Sequence, residues 1–129
     1  MLRLAGEGVT VWRPSVTYDE RMDPVTTWAP EHVDNVLFGR PSTEAVDGAM
    51  RVYGVHVQYM LGIPKSYTAS LRGCRVTRDR DATMAATTTT TGPEMWEPTY
   101  VVAGDPAPLP PELCPTPWNR EALVGWVDG

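Results

Sequence analysis

The sequence predicts an all-β fold, a small β-barrel or two-sheet sandwich with long loops and at most one short helical turn. Short β-branched or alternating segments recur along the chain, turn residues close each of them, and no long window carries a helical period. With 13 prolines and 11 glycines in 129 residues, much of the backbone must lie in turns and loops. The length suits a single domain, residues 1–129, organised around one core.

Val9-Thr10-Val11-Trp12 is rich in β-branched residues and is followed by Pro14, so it reads as a first strand that stops there. A hinge containing Pro24 and Pro30 leads to a second strand, Val33 to Phe38, closed by the turn Gly39-Arg40-Pro41-Ser42. Ser42 to Met50 has weak helical potential, enough for a single turn. The clearest alternation runs from Tyr53 to Leu61. There Tyr53, Val55, Val57, Tyr59 and Leu61 share one face, while Gly54, His56, Gln58 and Met60 share the other, the pattern of a half-buried strand. Gly62-Ile63-Pro64-Lys65 closes it. Leu71 to Thr77 begins another extended piece, in which Gly73 permits a bulge. Thr99 to Ala103 reads as a buried strand, Gly104 to Pro117 as a loop with six prolines, and Ala122 to Val127 as a terminal strand.

Between Arg78 and Trp96 the pattern gives way to charged residues, alanines, the run Thr87 to Thr91 and Gly92-Pro93. This is a long loop or arm, of a kind that in small domains is usually functional or disordered. Polythreonine is β-prone but has no core-facing alternation here, so the arm is expected to order on meeting a partner.

Eleven basic against 16 acidic residues give a net charge of −5, which argues against a protein that grips the nucleic-acid backbone through a surplus of cations. A channel wall past which DNA slides without being trapped remains compatible with mild acidity. Cys74 and Cys114 form no CxxC pair and no disulfide framework, and are expected as free, packed thiols in a reducing cytosol. The apolar stretch at the N-terminus is cut by Glu7, so no signal peptide is expected, and no apolar run approaches the ~20 residues that span a bilayer. A soluble, non-exported protein without membrane contact is the expectation.

Chemistry is sparse. His32 and His56 belong to no metal-ligand spacing and read as surface or interface histidines. No nucleophile-elbow, dinucleotide or phosphate-loop pattern occurs, and Ser15, Ser42, Ser66 and Ser70 have no recognisable base. The pairs Asp79/Asp81 and Glu94/Glu97 flank the long loop and read as solvated charge rather than an acid–base pair. Neither a catalytic site nor a metal or cofactor is expected. Arg72, Arg75, Arg78 and Arg80 cluster beside Asp79 and Asp81, either as a phosphate or partner contact or as a solvated, subunit-bridging group. Arg75 breaks the parity of Arg72 and Arg78, so they do not form one basic stripe. Together with Met84, Met95 and Trp96 these residues are the candidate subunit or neck interface. Most of the tryptophans and tyrosines should be core, with Trp28 and Trp96, in proline-rich connections, as rival interface anchors.

Three blocks carry a family resemblance. Asp34-Asn35-Val36-Leu37-Phe38-Gly39-Arg40-Pro41 resembles the second strand of the head-closure, or head-to-tail stopper, proteins of tailed-phage necks. Leu61-Gly62-Ile63-Pro64-Lys65-Ser66-Tyr67 with Leu71-Arg72-Gly73-Cys74-Arg75-Val76 is similar to that family's strand, proline-lysine turn and return strand. Tyr100-Val101-Val102-Ala103-Gly104-Asp105-Pro106, a proline-rich loop and Pro115-Thr116-Pro117-Trp118-Asn119-Arg120 complete the order, covering about residues 33 to 129. In physical terms Gly104-Asp105-Pro106 makes a tight turn, and Trp118 is expected to plug the barrel as the chain re-enters it. The Arg78 to Trp96 segment is longer and richer in threonine than the family pattern.

The resemblance implies a structural virion protein of the phage neck. It would form a homo-oligomeric ring of six-fold symmetry that seals the DNA-filled capsid below the portal and adaptor proteins, and it would offer a docking face to the tail terminator or tail tube. Genomic DNA would pass its channel without specific binding. Its place would be the virion neck, and the host cytoplasm during assembly. That work needs head-to-tail interfaces and movable loops rather than catalysis. The alternatives are a tail terminator or other neck-ring subunit and, from another class, a small ligand- or single-stranded-nucleic-acid-binding barrel.

Overall fold

The computed structural model describes residues 6–80, 83–84, 93 and 96–127. Six strands close into one antiparallel barrel in the order β1-β2-β3-β8-β7-β4, with a two-stranded β5–β6 ladder beside it. In chain order these are β1 (Glu7–Tyr18), β2 (Pro24–Gly39), helix α1 (Thr43–Tyr53), β3 (Val55–Pro64), β4 (Arg75–Arg78), β5 (Thr83–Met84), β6 (Trp96–Glu97), β7 (Thr99–Val102) and β8 (Trp118–Val127). The protein is mainly β, as its turn-rich, alternating sequence predicts.

The interior is filled from every strand of the barrel. Val9 and Val11 of β1, Val33 and Val36 of β2, Leu61 and Ile63 of β3, Val76 of β4, Val102 of β7 and Val124 of β8 belong to one buried cluster. Each such side chain contributes about 1.5–3 kcal/mol on leaving water. Three register shifts adjust the alternation, the last of them at Ile63–Pro64, where β8 carries the extra Asn119. Glu7 pairs with Val36 but Val9 with Val33, so β2 carries an extra residue, accommodated by Asn35 at φ 61, and both valines face the core.

The second bulge divides the most regular alternation in the sequence. Val57 pairs with Gly125 but Tyr59 with Val124, so β3 carries the extra Gln58. Tyr59, Leu61 and Ile63 therefore face the barrel core, whereas Val55 and Val57 pack with Ala49 and Ala103 in a second cluster under α1. A Cβ on Gly125 would lie 1.8 Å from the carbonyl oxygen of His56, which leaves room for glycine alone at this crossing.

Several sequence expectations are corrected. The single helical turn is an 11-residue helix: the Ser42 hydroxyl accepts from the Ala45 N–H, and Gly54 at φ 68 ends it by donating to the Ala49 and Met50 carbonyls. Tyr53, expected at the start of a strand, is the last helical residue, and β3 begins at Val55. Pro14 does not end β1, nor do Pro24 and Pro30 make a hinge. β1 is paired with β4 only from Val9 to Trp12, and β2 with β3 only from Leu37 to Gly39, so these prolines sit where a strand has one ladder partner among the described residues. The extended piece from Leu71 is a turn through Gly73 at φ 73, and β4 proper starts at Arg75. β8 starts at Trp118, before the expected Ala122.

Candidate functional site

Charged groups close both ends of the barrel. At one end Arg78, which has the parity of the buried Val76, turns inward and grips the Glu7 carboxylate through Nε and Nη2, the latter at 2.9 Å. Its guanidinium lies 4.2 Å from the Phe38 ring centroid and also faces Tyr59. The hydrogen bond from Arg78 holds the Glu7 carboxyl below its ordinary pKa. At the other end Arg13 donates to Glu31 at 2.6 Å and to the Tyr67 hydroxyl at 2.8 Å. Arg120, 4% exposed, donates there to the Tyr67 and Ala69 carbonyls, and burial lowers its pKa.

The four arginines of the sequence cluster thus go to different places. Arg72 is exposed in the turn before β4, Arg75 lies on the outer face with its guanidinium 5.6 Å from the Trp28 ring centroid, Arg78 is internal, and Arg80 reaches Glu7 at 3.5 Å. Asp79 also faces outward: its carboxylate accepts from the Thr10 hydroxyl at 2.9 Å and meets His32 Nδ1 at 3.1 Å. His32 Nε2 lies 2.7 Å from Asp34, and that contact, followed by Asp79, raises the histidine pKa. Beside this row a cavity of about 400 Å³ is lined by Trp12, Pro30, Thr77, Asp79 and Trp96. Met84 pairs with Trp96 across the short ladder that joins the two ends of the long loop. Asp81, Met95 and the threonine run, Thr87 to Thr91, lie outside the described residues. Among the described residues no group of His, Cys, Asp and Glu is arranged to hold a metal ion, and no helix is long and apolar enough to cross a membrane.

Two surface features among the described residues were not brought forward by alternation in the sequence. The first is a two-stranded ribbon. Beyond Trp12 the β1–β2 pairing runs on without β4, from Pro14↔Trp28 to Tyr18↔Pro24. Residues that pair directly share a face, so Pro14, Trp28, Val16, Thr26, Tyr18 and Pro24 form one surface and Arg13, Ala29, Ser15, Thr27, Thr17 and Val25 the opposite one. The loop at its tip is built, not frayed: the Asp19 carboxylate accepts from the Arg21 and Asp23 N–H groups, both at 2.9 Å, and its carbonyl from Met22.

The second is a groove of about 720 Å³ between the outer face of β2, β3 and β8 and the proline-rich loop. Leu37, Met60, Leu109, Cys114 and Trp118 are among its walls. Trp118 lies on this outer side instead of plugging the barrel as expected. It packs over Gly62, where a Cβ would come within 3.3 Å of the indole, and donates from Nε1 to the Asn35 carbonyl at 2.7 Å. The barrel end is filled by Arg120 and Tyr67: 120, 122 and 124 face inward, while the extra Asn119 in β8 at the Ile63–Pro64 pairing turns Trp118, of the same parity, outward. Cys74 is buried and Cys114 partly exposed, and both are free thiols.

The loop over the groove ties the three sequence blocks together. Trp118 reaches Asn35, Lys65 donates from its ammonium to the Cys114 carbonyl and from its N–H to the Pro117 carbonyl, and Asp105 accepts from the Ser70 hydroxyl and the Leu71 N–H. The chain matches no protein-family model, and no curated protein matches its sequence.

Proposed function

We propose that the chain is a ring-forming structural subunit of a tailed-phage neck, a head-to-tail stopper that seals the filled head and receives the tail. The observation that carries this reading is the convergence of the three resembling blocks, from residues 34–41, 61–76 and 100–120, on one side of the barrel through the hydrogen bonds of Asn35, Lys65, Asp105 and Trp118. Residues spread over the chain thus act as one fold signature, which is more than isolated likenesses would provide. A closed barrel with few pairing edges and a paired ribbon reaching past it also suits a subunit that stands among neighbours.

Electron microscopy of particles assembled without the protein tests this. Filled heads that lose their DNA and lack tails are expected. Sealed heads beside overlong tails would replace the stopper with a tail terminator. Normal particles, together with salt-dependent binding of the purified chain to single-stranded DNA, would replace the neck reading with a nucleic-acid-binding barrel.

A further inference from the structure

Within the ring reading just proposed, we infer that the β1–β2 ribbon of one copy lies in the groove beneath the proline-rich loop of the next copy. The ribbon is an apolar face without a cover: Val16 is 57% exposed, Tyr18 65% and, at the tip, Met22 74%. A two-stranded ribbon standing alone is marginal in water, and here one face, with Pro14, Val16, Tyr18, Pro24 and Trp28, is largely aromatic and aliphatic while the other carries Ser15, Thr17 and Thr27. The groove offers the complementary shape. Its walls are largely apolar, and about 720 Å³ accommodates two or three large side chains.

Charge favours the same pairing. The ribbon tip carries Asp19, Glu20 and Asp23 against Arg21 alone. The groove has Arg120 and Glu121 on its wall, Arg40 and Asp105 each next in the chain to a lining residue, Gly39 and Pro106, and Lys65 bonded to the lining residue Cys114, a small excess of positive charge. The placement of the two patches allows the repeating assembly that the ring reading requires. The ribbon extends from β1 and β2, whereas the groove sits on β2, β3 and β8, so donor and acceptor are different patches. Passed on from copy to copy, an arm on one patch and a receptor on another make a heterologous contact, which closes as a ring where the rotation between copies closes, whereas mutual exchange between two copies would stop at a dimer.

The native thiol in the groove supplies the test. Val16→Cys and Tyr18→Cys are each introduced into the full-length chain, which is oxidised at high concentration and run on a non-reducing gel. A ladder extending beyond the dimer is expected from at least one variant, abolished by adding Cys114→Ser. The buried Cys74 serves as the internal control, since Cys74→Ser should leave the ladder intact. In the wild-type cysteine background, Tyr18→Ser should weaken self-association roughly tenfold, the loss typical of an aromatic anchor at an interface.

Products that stop at the dimer would mean an isologous contact, and products that persist without Cys114 would mean arm-to-arm contact. Either result overturns the inference, as does the absence of any ladder from both variants. If light scattering nonetheless finds a closed oligomer, the ring reading stands and only this interface falls. If particles form normally without the protein, the ring reading itself fails.

Discussion

Arg78 and Glu7, 71 positions apart in the chain, are joined across one end of the barrel by two hydrogen bonds of a single guanidinium. The pair links the first strand to the fourth and places a flat cation against Phe38 and Tyr59, so it is packed as well as charged.

Replacing Arg78 with Met should therefore cost about 2 kcal/mol, because a hydrogen-bonded charge is left without its partner. Urea unfolding measures it. Because the folded carboxyl of Glu7 titrates below its unfolded value, its contribution is present above the unfolded pKa and is lost as pH falls through the folded one. Glu7→Gln should flatten that acid-side loss, and an unchanged acid profile would dissociate the pair from stability.

His32 stands between Asp34 and Asp79, and its raised pKa gives the opposite sign. The folded state binds the proton more tightly, so the stabilisation is complete below the unfolded value of ~6.5 and disappears as pH rises through the higher folded value. Asp34→Asn should lower the histidine pKa more than Asp79→Asn, as followed by NMR titration of the ring protons.

Two glycines separate backbone space from helix propensity. Gly125→Ala forces a Cβ onto the His56 carbonyl at the β3 bulge and should cost more than about 3 kcal/mol or prevent folding. Gly48→Ala, in α1 with nothing within 4 Å of the new atom, should stabilise by about 0.5–1 kcal/mol. Thermal unfolding of the two variants should move in opposite directions.

The two thiols should react at very different rates. Cys74 is 0% exposed and burial pushes its pKa up, while hydrogen bonding to Thr116, with Lys65 nearby, brings that of Cys114 down. A thiol reagent should modify Cys114 in the native protein and reach Cys74 only on unfolding. Equal rates would contradict this placement of Cys114 at the groove.

Much of the fold was legible in the chain. The strands around Val9, Val33, Leu61, Val76, Val101 and Val124 announced themselves through β-branched residues and turns, while the Tyr53 to Leu61 alternation mixed a helical residue with side chains that the Gln58 bulge divides between two clusters. The helix was underestimated because its interior Val46, Gly48 and Val52 are weak helix formers. Its stability comes from the Ser42 and Gly54 caps and from packing Ala49 over Val55. The ribbon was hidden by Pro14 and Pro24, which break a strand only where a second ladder partner needs the missing N–H.

By itself the sequence determined a small, turn-rich β-protein and the approximate strand positions, because alternation and turn chemistry are local properties of the chain. Only the tertiary structure decided where the charged and aromatic side chains went. Strand register decides which positions face the core: Arg78 shares the inward parity of Val76 while Arg75 does not, and the extra residue Asn119 in β8 turns Trp118 out although it has the parity of Arg120. The groove exists because a loop ending near residue 117 folds back over strands some 50 to 80 positions earlier, held by Lys65 and Asn35, and no local pattern encodes a meeting at that distance.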